Sequence, residues 1–265
     1  MAVQEEPVDG RSVSSDTFVR SLERGLAVIR AFDARHQQLS LSDVARRTGL
    51  TRAAARRFLL TLVELGYVHQ HEATFSLRPR VLELGFAYLS GLTLLEVAQP
   101  HMERLSNDLH ESCSVSVLDG DEVVYVGRVH ARKIMKAAIN VGTRFPAYPT
   151  SMGRVLLAGA QPGWLEDYLR RVRPEPLTPL TVTDADRLRT VLAGVRADGF
   201  ALVDQELELG LRSMAVPLHG RGGEVVAAMN ISAPLERGSV AEITAELLPP
   251  LRRAAAALEA DLRPT

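Results

Sequence analysis

The sequence predicts an α+β fold with two domains: a small helical domain that ends in a β-hairpin, and a larger domain built on an antiparallel sheet. Two observations support this prediction. Between residues 17 and 78, apolar residues recur at helical spacing and two short strand-like runs follow them. From Cys113 onward, apolar and polar residues alternate in runs separated by turn residues. Residues 79–92 between these parts predict a connecting helix.

The composition is that of an ordinary globular protein. Of the 265 residues, 46% are hydrophobic and 24% are charged. The single cysteine, Cys113, excludes an intrachain disulfide and a cysteine-rich zinc cluster, so we expect a reducing, cytoplasmic location. No apolar run approaches the roughly 18 residues of a membrane span. Residues 1–16 are acidic and polar, lack signal-peptide features, and are expected to form a disordered lead-in.

The net charge of −1 conceals an uneven distribution. Residues 20–80 carry 11 arginines against 5 acidic residues, whereas residues 81–265 carry 19 basic and 23 acidic residues. A basic N-terminal part is typical of nucleic-acid-binding domains. Because only two of the 31 basic residues are lysine, a GC-rich coding sequence also contributes to this charge.

The N-terminal elements follow the pattern of a helix-turn-helix. A first helix is expected over roughly 17–34. A short second helix should be capped by Ser42 and ended by Gly49, and a third should run from its N-cap Thr51 to Leu65. Two short strands are then expected over Tyr67–His71 and Thr74–Leu77, joined by a turn at Glu72-Ala73. Together they would form a wing.

The spacing of residues in the expected third helix predicts two different faces, one apolar and one basic. Its apolar face should pack on the first two helices and consists of Ala54, Ala55, Phe58, Leu59, Leu62 and Leu65. The other face carries arginines beside the helix N-terminus, where they can bond phosphate or guanine. Taken alone, this is equally the pattern of an amphipathic helix with a solvated basic face, but the capping and the wing favour DNA. The candidate DNA-binding residues are Ser42, Thr51, Arg52, Ala53, Arg56, Arg57, His69 and Thr74.

The C-terminal domain should begin with a helix over 93–110. A hairpin about Asp119-Gly120 joins Cys113–Leu118 to Glu122–Val129, and a third strand is expected over Ile134–Val141. A C-terminal helix should start at Ser239 and be kinked or split by Pro249-Pro250. The remaining expected elements are helices at about 150–160, 162–172 and 184–198, a strand at Phe200–Val203, and a hairpin of Arg212–Leu218 with Glu224–Ser232.

The sequence resembles the IclR family of bacterial transcription regulators. The resemblance covers residues 21–265 and rests on the runs SLERGLAVIRAF, LSLSDVARRTGLTRAAARRFLLTLVELGYV and GFALVDQELELGLRSMAVPL. It places the arginine typical of the family's recognition helix at Arg57. The family signature, a glutamate seven positions before a small residue that is often cysteine, falls on Glu206 and Ser213. Val203 and Gly220 depart from that signature.

The resemblance implies a winged helix-turn-helix DNA-binding domain (17–78), a linker helix (79–92) and a GAF-like effector-binding domain (93–265). The runs TFSLRPRVLELGFAYLS and INVGTRFPAYPTSMGRVLLA further resemble regulators of the protocatechuate, 4-hydroxybenzoate and β-ketoadipate pathway. Members of the family are dimers or tetramers on pseudo-palindromic double-stranded DNA. Matching motif positions imply that the effector contacts Ser151, Met152, Leu211, Ser213, Asn230 and Ser232.

A small organic acid is the expected effector. Ser151 lies at an expected helix start, where its hydroxyl and backbone N–H groups can bind a carboxylate. Asn230 and Ser232 alternate on one strand and therefore face the same side. Candidate carboxylate partners, each expected at the surface, are Arg132, Arg144 and Arg154. The paired acidic residues Glu206 and Glu208 are expected to be solvated or to cap a turn.

Motifs for catalysis, nucleotide binding and metal binding are absent from the sequence. We therefore predict no catalysis, no cofactor, no metal site and no membrane partner. Two alternatives remain open. One is an enzyme or small-molecule-binding protein with a vestigial helix-turn-helix, and the other is a protein-interaction module without specific DNA binding. The sequence leaves open whether the protein activates or represses, which operator and effector it binds, and whether it is a dimer or a tetramer.

Overall fold

The computed structural model describes residues 18–85, 93–131, 139–220 and 222–262. They belong to two compact units that divide between residues 88 and 89. The expected lead-in lies outside the described residues, as does the second half of the expected linker helix, residues 86–92. The described start of that linker is a 3-10 helix, Pro79–Leu82, followed by helical residues 83–85. Among the described residues, no helix combines the length and apolarity needed to cross a membrane.

The N-terminal unit is a helix-turn-helix with a three-stranded antiparallel sheet. Its helices are α1 (Arg20–Arg30), α2 (Leu41–Thr48) and α3 (Arg52–Glu64). Its strands are β1 (Gln38–Ser40), β2 (Val68–His71) and β3 (Thr74–Leu77), in the order β1-β3-β2. The predicted helix-turn-helix and wing are thus confirmed. Strand β1 was not predicted, because three residues are too few to show alternation.

Hydrogen bonds at the helix ends explain the boundaries of α2 and α3. Ser40 caps α2, since its Oγ accepts the Asp43 N–H at 3.2 Å while the Asp43 carboxylate accepts the Ser40 N–H at 3.2 Å. This reciprocal box stabilises the first turn. The expectation that Ser42 caps the helix is therefore wrong, and Ser42 is an exposed residue of the first turn. Thr51 caps α3 as predicted.

An apolar core holds the three helices together. Ala55, Leu59 and Leu62 of α3 are buried in it, as the periodicity predicted. Leu65, which was expected on the same face, is 51% exposed. It follows the last residue of α3, and the chain leaves the helix at Gly66, whose φ of +80° favours glycine.

The C-terminal unit is a six-stranded antiparallel sheet with helices on both faces, so the α+β prediction is confirmed. The helices are α4 (Thr93–Leu109), α5 (Ser151–Gly159), α6 (Pro162–Arg171), α7 (Ala185–Asp198) and α8 (Val240–Asp261). The strands are β4 (Ser112–Asp119), β5 (Glu122–Val129), β6 (Arg144–Pro146), β7 (Ala201–Asp204), β8 (Leu211–His219) and β9 (Val225–Pro234). The strand order is β6-β5-β4-β9-β8-β7.

Three local expectations differ from the structure. The edge strand beside β5 is β6 rather than Ile134–Val141: residues 139–141 are not a strand, and 134–138 lie outside the described residues. The β4–β5 turn is Gly120-Asp121, one residue later than predicted, because Asp119 pairs with Glu122. Helix α8 continues through both prolines instead of splitting, since buried leucines on either side hold it against α4 and the sheet.

The two faces of the sheet differ in composition. Helices α4 and α8 cover one face, which is apolar. Helix α5 lies on the other face, backed by α7. On that second face, which we call the α5 face, the central strands carry polar residues in register: Ser112 opposes Ser232, and Ser114 opposes Asn230. The candidate effector residues lie here.

Candidate DNA-binding surface and effector cavity

Helix α3 presents a positively charged surface. Arg52, Ala53, Arg56 and Arg57 are all exposed, as predicted. None of the three guanidinium groups forms an ion pair with a described residue. They therefore remain available to phosphates or base edges.

The arginines of α2, unlike those of α3, form ion pairs with aspartates. Arg46 pairs with Asp43 at 2.7 Å, and Arg47 pairs with Asp33 at 2.6 Å. These pairs neutralise part of the charge on α2. The arginines of α3 thus differ from those of α2, because they form no ion pair with a described residue.

The wing residues have local roles. The Arg78 guanidinium donates to the Nδ1 atom of exposed His69 at 3.1 Å. Thr74 donates its hydroxyl to the His71 carbonyl at 3.0 Å, across the turn where Glu72 has a φ of +51°. Thr74 therefore stabilises the tip of the wing, and His69 lies beside a further cation.

A cavity lies on the α5 face of the sheet and has a volume of about 20 Å³, room for about one water molecule. Five of the six predicted effector residues line it. Its walls are otherwise largely apolar, and Val203, which departs from the family signature, is part of them. The lining residues are Tyr125, Ile139, Pro149, Thr150, Ser151, Met152, Val203, Leu207, Leu211, Ser213 and Ser232.

Three hydroxyl groups from separate elements meet in this cavity, and we call them the hydroxyl cluster: Ser151 of α5, Ser213 of β8 and Ser232 of β9. The Oγ atoms of Ser151 and Ser213 are 2.7 Å apart, and those of Ser213 and Ser232 are 3.3 Å apart. The structure thus brings together residues that are far apart in the sequence. Each hydroxyl can donate or accept, so the cluster can adapt to either kind of ligand group.

Asn230 does not line the cavity but supports the hydroxyl cluster. Its Nδ2 donates to Ser213 Oγ at 2.9 Å and to Ser232 Oγ at 3.2 Å. Asn230 and Ser232 face the same side, as alternation predicted. The contact of Asn230 with an effector stays a prediction, and in this structure Asn230 contacts two serines that line the cavity.

The candidate carboxylate partners occupy different environments. Arg144 is exposed, as expected, and bonds Asp119 and Glu122. Arg154 is only 3% exposed and pairs with Glu206, which is 7% exposed. The expected surface position of Arg154 and the expected solvated or capping role of Glu206 are both wrong, because each charge neutralises the other in the interior. Arg132 lies outside the described residues.

Arg128 on β5 was not predicted as a site residue. It opposes Ser114 and donates from Nη1 to Ser114 Oγ at 3.0 Å, which places it on the α5 face of the sheet. Burial lowers the pKa of this half-buried guanidinium. A bulge between Val115 and Ser116 determines its position. The sequence gives no signal for that bulge.

Family models match both units of the chain. The model described as IclR helix-turn-helix domain matches residues 21–72. The model described as bacterial transcriptional regulator IclR C-terminal matches residues 86–260. Together they cover the α3 surface and the cavity.

Named relatives match over most of the chain. The Pca regulon regulatory protein of Pseudomonas putida is 43% identical, over 88% of this chain and 80% of its own length. The p-hydroxybenzoate hydroxylase transcriptional activator of Acinetobacter baylyi is 36% identical, over 94% of each chain. The predicted resemblance to regulators of aromatic-acid pathways is thereby confirmed.

Solved structures agree with this fold. A protein of Rhodococcus sp. RHA1 described as a transcriptional regulator is 57% identical, with a TM-score of 0.83 over 92% of this chain and 98% of the other. An IclR homolog from Microbacterium hydrocarbonoxydans is 30% identical, with a TM-score of 0.82 over 92% and 99% of the chains. That homolog was crystallised as a complex with 4-hydroxybenzoate.

Proposed function

The chain belongs to the IclR family of DNA-binding bacterial transcriptional regulators, and we propose that it controls genes of aromatic-acid catabolism in response to a small carboxylate effector. Residues 17–78 would bind the operator, 79–92 would connect, and 93–265 would bind the effector. The names of the relatives and the ligand of the Microbacterium homolog support this assignment. The protein would act on chromosomal DNA in the cytoplasm and catalyse no reaction.

We propose that a dimer or a tetramer of the chain binds a pseudo-palindromic operator. Each α3 would enter a major groove, with half-sites about 10 base pairs apart or a multiple of that. Arg52, Arg56 and Arg57 would bond phosphates and base edges, while small Ala53 permits close approach. At the edges of the surface, Ser42, Thr51, His69 and Thr74 would contact the DNA backbone. The α3 arginines support this role, because they are exposed and form no ion pair within the described part of the chain.

The observation that carries the effector proposal is the hydroxyl cluster inside an apolar-walled cavity. An aromatic acid has the same combination, an apolar ring with polar ends. The cavity volume of about 20 Å³ is too small for such a ring, since a cavity that binds benzene measures about 150 Å³. An effector would therefore bind a widened conformation and shift the population toward it.

The DNA-binding proposal is tested by recovering fragments of sheared genomic DNA with the purified protein at near-physiological salt. We expect a few palindromic sites to be enriched. The double variant Arg56→Ala, Arg57→Ala should lose about 100-fold or more in affinity for them, because each guanidinium contact contributes about 1–3 kcal/mol. The control is Arg187→Ala, at an exposed arginine of α7. Equal binding by both variants would exclude recognition through α3.

The salt dependence of binding separates DNA recognition from the alternative of a protein-interaction module. Phosphate contacts release counterions, so the affinity for the enriched fragments should fall steeply between low and physiological salt. A flat salt dependence would favour the interaction module.

The effector proposal is tested by urea unfolding of the C-terminal unit, followed by the fluorescence of Trp164, the one tryptophan of the chain. At a 4-hydroxybenzoate concentration of about 100 times Kd, the free energy of unfolding should rise by about 2.7 kcal/mol. The compound should also change the affinity for the enriched fragments. Protocatechuate and β-ketoadipate are measured in parallel. DNA binding that none of the three compounds changes would leave the regulator intact and exclude this effector class.

A further inference from the structure

A row of polar side chains crosses the α5 face of the sheet beside the cavity. Arg128 of β5, Ser114 of β4 and Asn230 of β9 lie opposite one another on three adjacent strands. The hydroxyl of Ser213 follows on β8, in contact with Asn230. The row therefore has a cation at one end and the neutral hydroxyl cluster at the other.

The guanidinium of Arg128 has only two hydrogen-bond partners among the described residues. These are Ser114 Oγ at 3.0 Å and His130 Nδ1 at 3.4 Å, and neither is a carboxylate. Arg154, the other arginine near the cavity, is already neutralised by Glu206. A half-buried cation without a counter-charge is costly, and an anion that reaches it recovers that cost. Burial also lowers the pKa of Arg128, which is consistent with incomplete compensation.

Two further polar atoms near this row are buried without a hydrogen-bond partner in the described part of the chain. They are Ser116 Oγ and Asn230 Oδ1. Ser116 lies two residues from Ser114 on β4 and opposes Tyr125, a lining residue of the cavity. Buried polar atoms are normally paired, so these two mark a space in which a polar ligand group can be accommodated.

We propose that Arg128 is the residue that recognises the carboxylate of the effector, while the hydroxyl cluster binds the opposite polar end. This inference rests on the proposed function and deepens it. Arg128 belongs to β5, which is three strand spacings from β8, but its guanidinium bonds Ser114 on β4. The cation is therefore separated from Ser213 on β8 by two strand spacings, roughly 10 Å. A benzene ring with para polar groups and a hydrogen bond of about 2.8 Å at each end spans a gap of this order. The ligand class is therefore a small carboxylate with a hydrogen-bonding group opposite, and 4-hydroxybenzoate is the probe.

The test compares an acid with its neutral isostere in variants of the full chain. Binding of 4-hydroxybenzoate and of 4-hydroxybenzamide is measured by titration calorimetry. Arg128→Gln should lose about 30-fold or more in affinity for the acid and less than about 3-fold for the amide. Arg128→Lys should restore part of the preference for the acid. The control Arg187→Gln removes an exposed arginine of the same unit and should change neither affinity.

A second variant covers the case in which Arg128→Gln fails to fold. Ser114→Ala removes the hydroxyl that orients the guanidinium but keeps the charge. It should lower the affinity for the acid by about 5-fold and leave the affinity for the amide unchanged. The melting temperature of each variant is measured, and affinities are compared only among variants that melt cooperatively.

The outcomes separate this inference from the proposed function. Wild-type protein that binds 4-hydroxybenzoate, with Arg128→Gln binding it equally well, would overturn the role of Arg128 and leave the proposed effector class intact. Binding of β-ketoadipate alone, lost in Arg128→Gln, would support the role of Arg128 and exclude an aromatic effector. Wild-type protein that binds none of these carboxylates would overturn both.

Discussion

Arg154 Nη2 donates to Glu206 Oε2 at 2.6 Å in the interior of the C-terminal unit. Arg154 lies one helical turn after Ser151 in α5. Glu206 lies between β7 and β8, in the segment that supplies Leu207 to the cavity, and Leu211 at the start of β8 also lines it. The ion pair therefore connects two opposing parts of the cavity wall.

Both members of this pair make further hydrogen bonds. Arg154 Nε donates to the Tyr148 carbonyl at 3.0 Å, and Glu206 Oε2 also accepts the Val182 N–H at 2.9 Å. Buried charges are tolerated when they are paired and their remaining groups are bonded. Glu206, the signature glutamate, thus has a structural explanation: it holds the β7–β8 segment against α5.

Removal of one member of the pair should strongly destabilise the C-terminal unit. Arg154→Ala leaves the Glu206 carboxylate buried without its cation, so we expect the free energy of unfolding to fall by about 3–5 kcal/mol. The double variant Arg154→Met, Glu206→Leu should recover much of this loss. Urea unfolding monitored by Trp164 fluorescence measures both. The exposed pair of Arg189 and Glu166 is the control, and Arg189→Ala should cost less than about 1 kcal/mol. Similar losses in Arg154→Ala and Arg189→Ala would contradict this explanation.

The start of α5 depends on the absence of a side chain at Gly153. A Cβ atom there would lie 2.0 Å from the Ala147 carbonyl oxygen, so the helix approaches the preceding segment more closely than alanine permits. Gly153→Ala should destabilise the C-terminal unit by about 3 kcal/mol and weaken effector binding, because the helix must move away with Ser151. Trp164 fluorescence in urea and titration calorimetry measure the two effects.

Gly194 in α7 is the matched control. A Cβ atom at this position meets nothing within 4 Å. Gly194→Ala should therefore raise the free energy of unfolding by about 0.5–1 kcal/mol, through the lower entropy of the unfolded chain. An equal loss of stability in both variants would show that the contact at Ala147 does not determine the effect of Gly153→Ala.

Periodicity and capping residues predicted most of the helices and hairpins, and family motifs predicted five residues that line the cavity. Arg128 illustrates what sequence patterns leave undetermined. If β4 and β5 paired without interruption from Asp119 and Glu122 onward, Arg128 would oppose Cys113. Its side chain would then lie on the apolar face covered by α4 and α8. The bulge adds one residue, so that Arg128 opposes Ser114 and lies on the α5 face instead. A one-residue shift of register reverses the facing of a side chain, and only tertiary packing determines it.

The α2 cap was mispredicted for a related reason. Ser40 and Ser42 are both good capping residues, and the choice between them depends on where strand β1 ends. Ser40 terminates β1 and has Asp43 three residues later, which completes the capping box.

The assignment of the cap predicts different costs for two substitutions. Ser40→Ala should lower the free energy of unfolding by about 1 kcal/mol, and Ser42→Ala by only a few tenths. Hydrogen exchange of the α2 amides measures this difference. We expect exchange to be about 5-fold faster in Ser40→Ala, and equal rates in the two variants would contradict the assignment.

The capping box also predicts a pH dependence at Asp43. Hydrogen bonds from the Ser40 side chain and backbone hold the pKa of the Asp43 carboxyl below its usual value of 3.8. Because the folded-state pKa is lowered, this stabilisation is fully present above about pH 4 and is lost as the pH falls through the lowered pKa.

A carboxyl NMR titration measures this effect. The Asp43 pKa should be lowered in the wild type and closer to 3.8 in Ser40→Ala. Asp33, whose pKa is lowered mainly by its hydrogen bond with His36, is the internal control and should not change. An unchanged Asp43 pKa in Ser40→Ala would instead assign the shift to the two partners that this variant keeps, the backbone N–H of residue 40 and the Arg46 guanidinium, which lies 2.7 Å away.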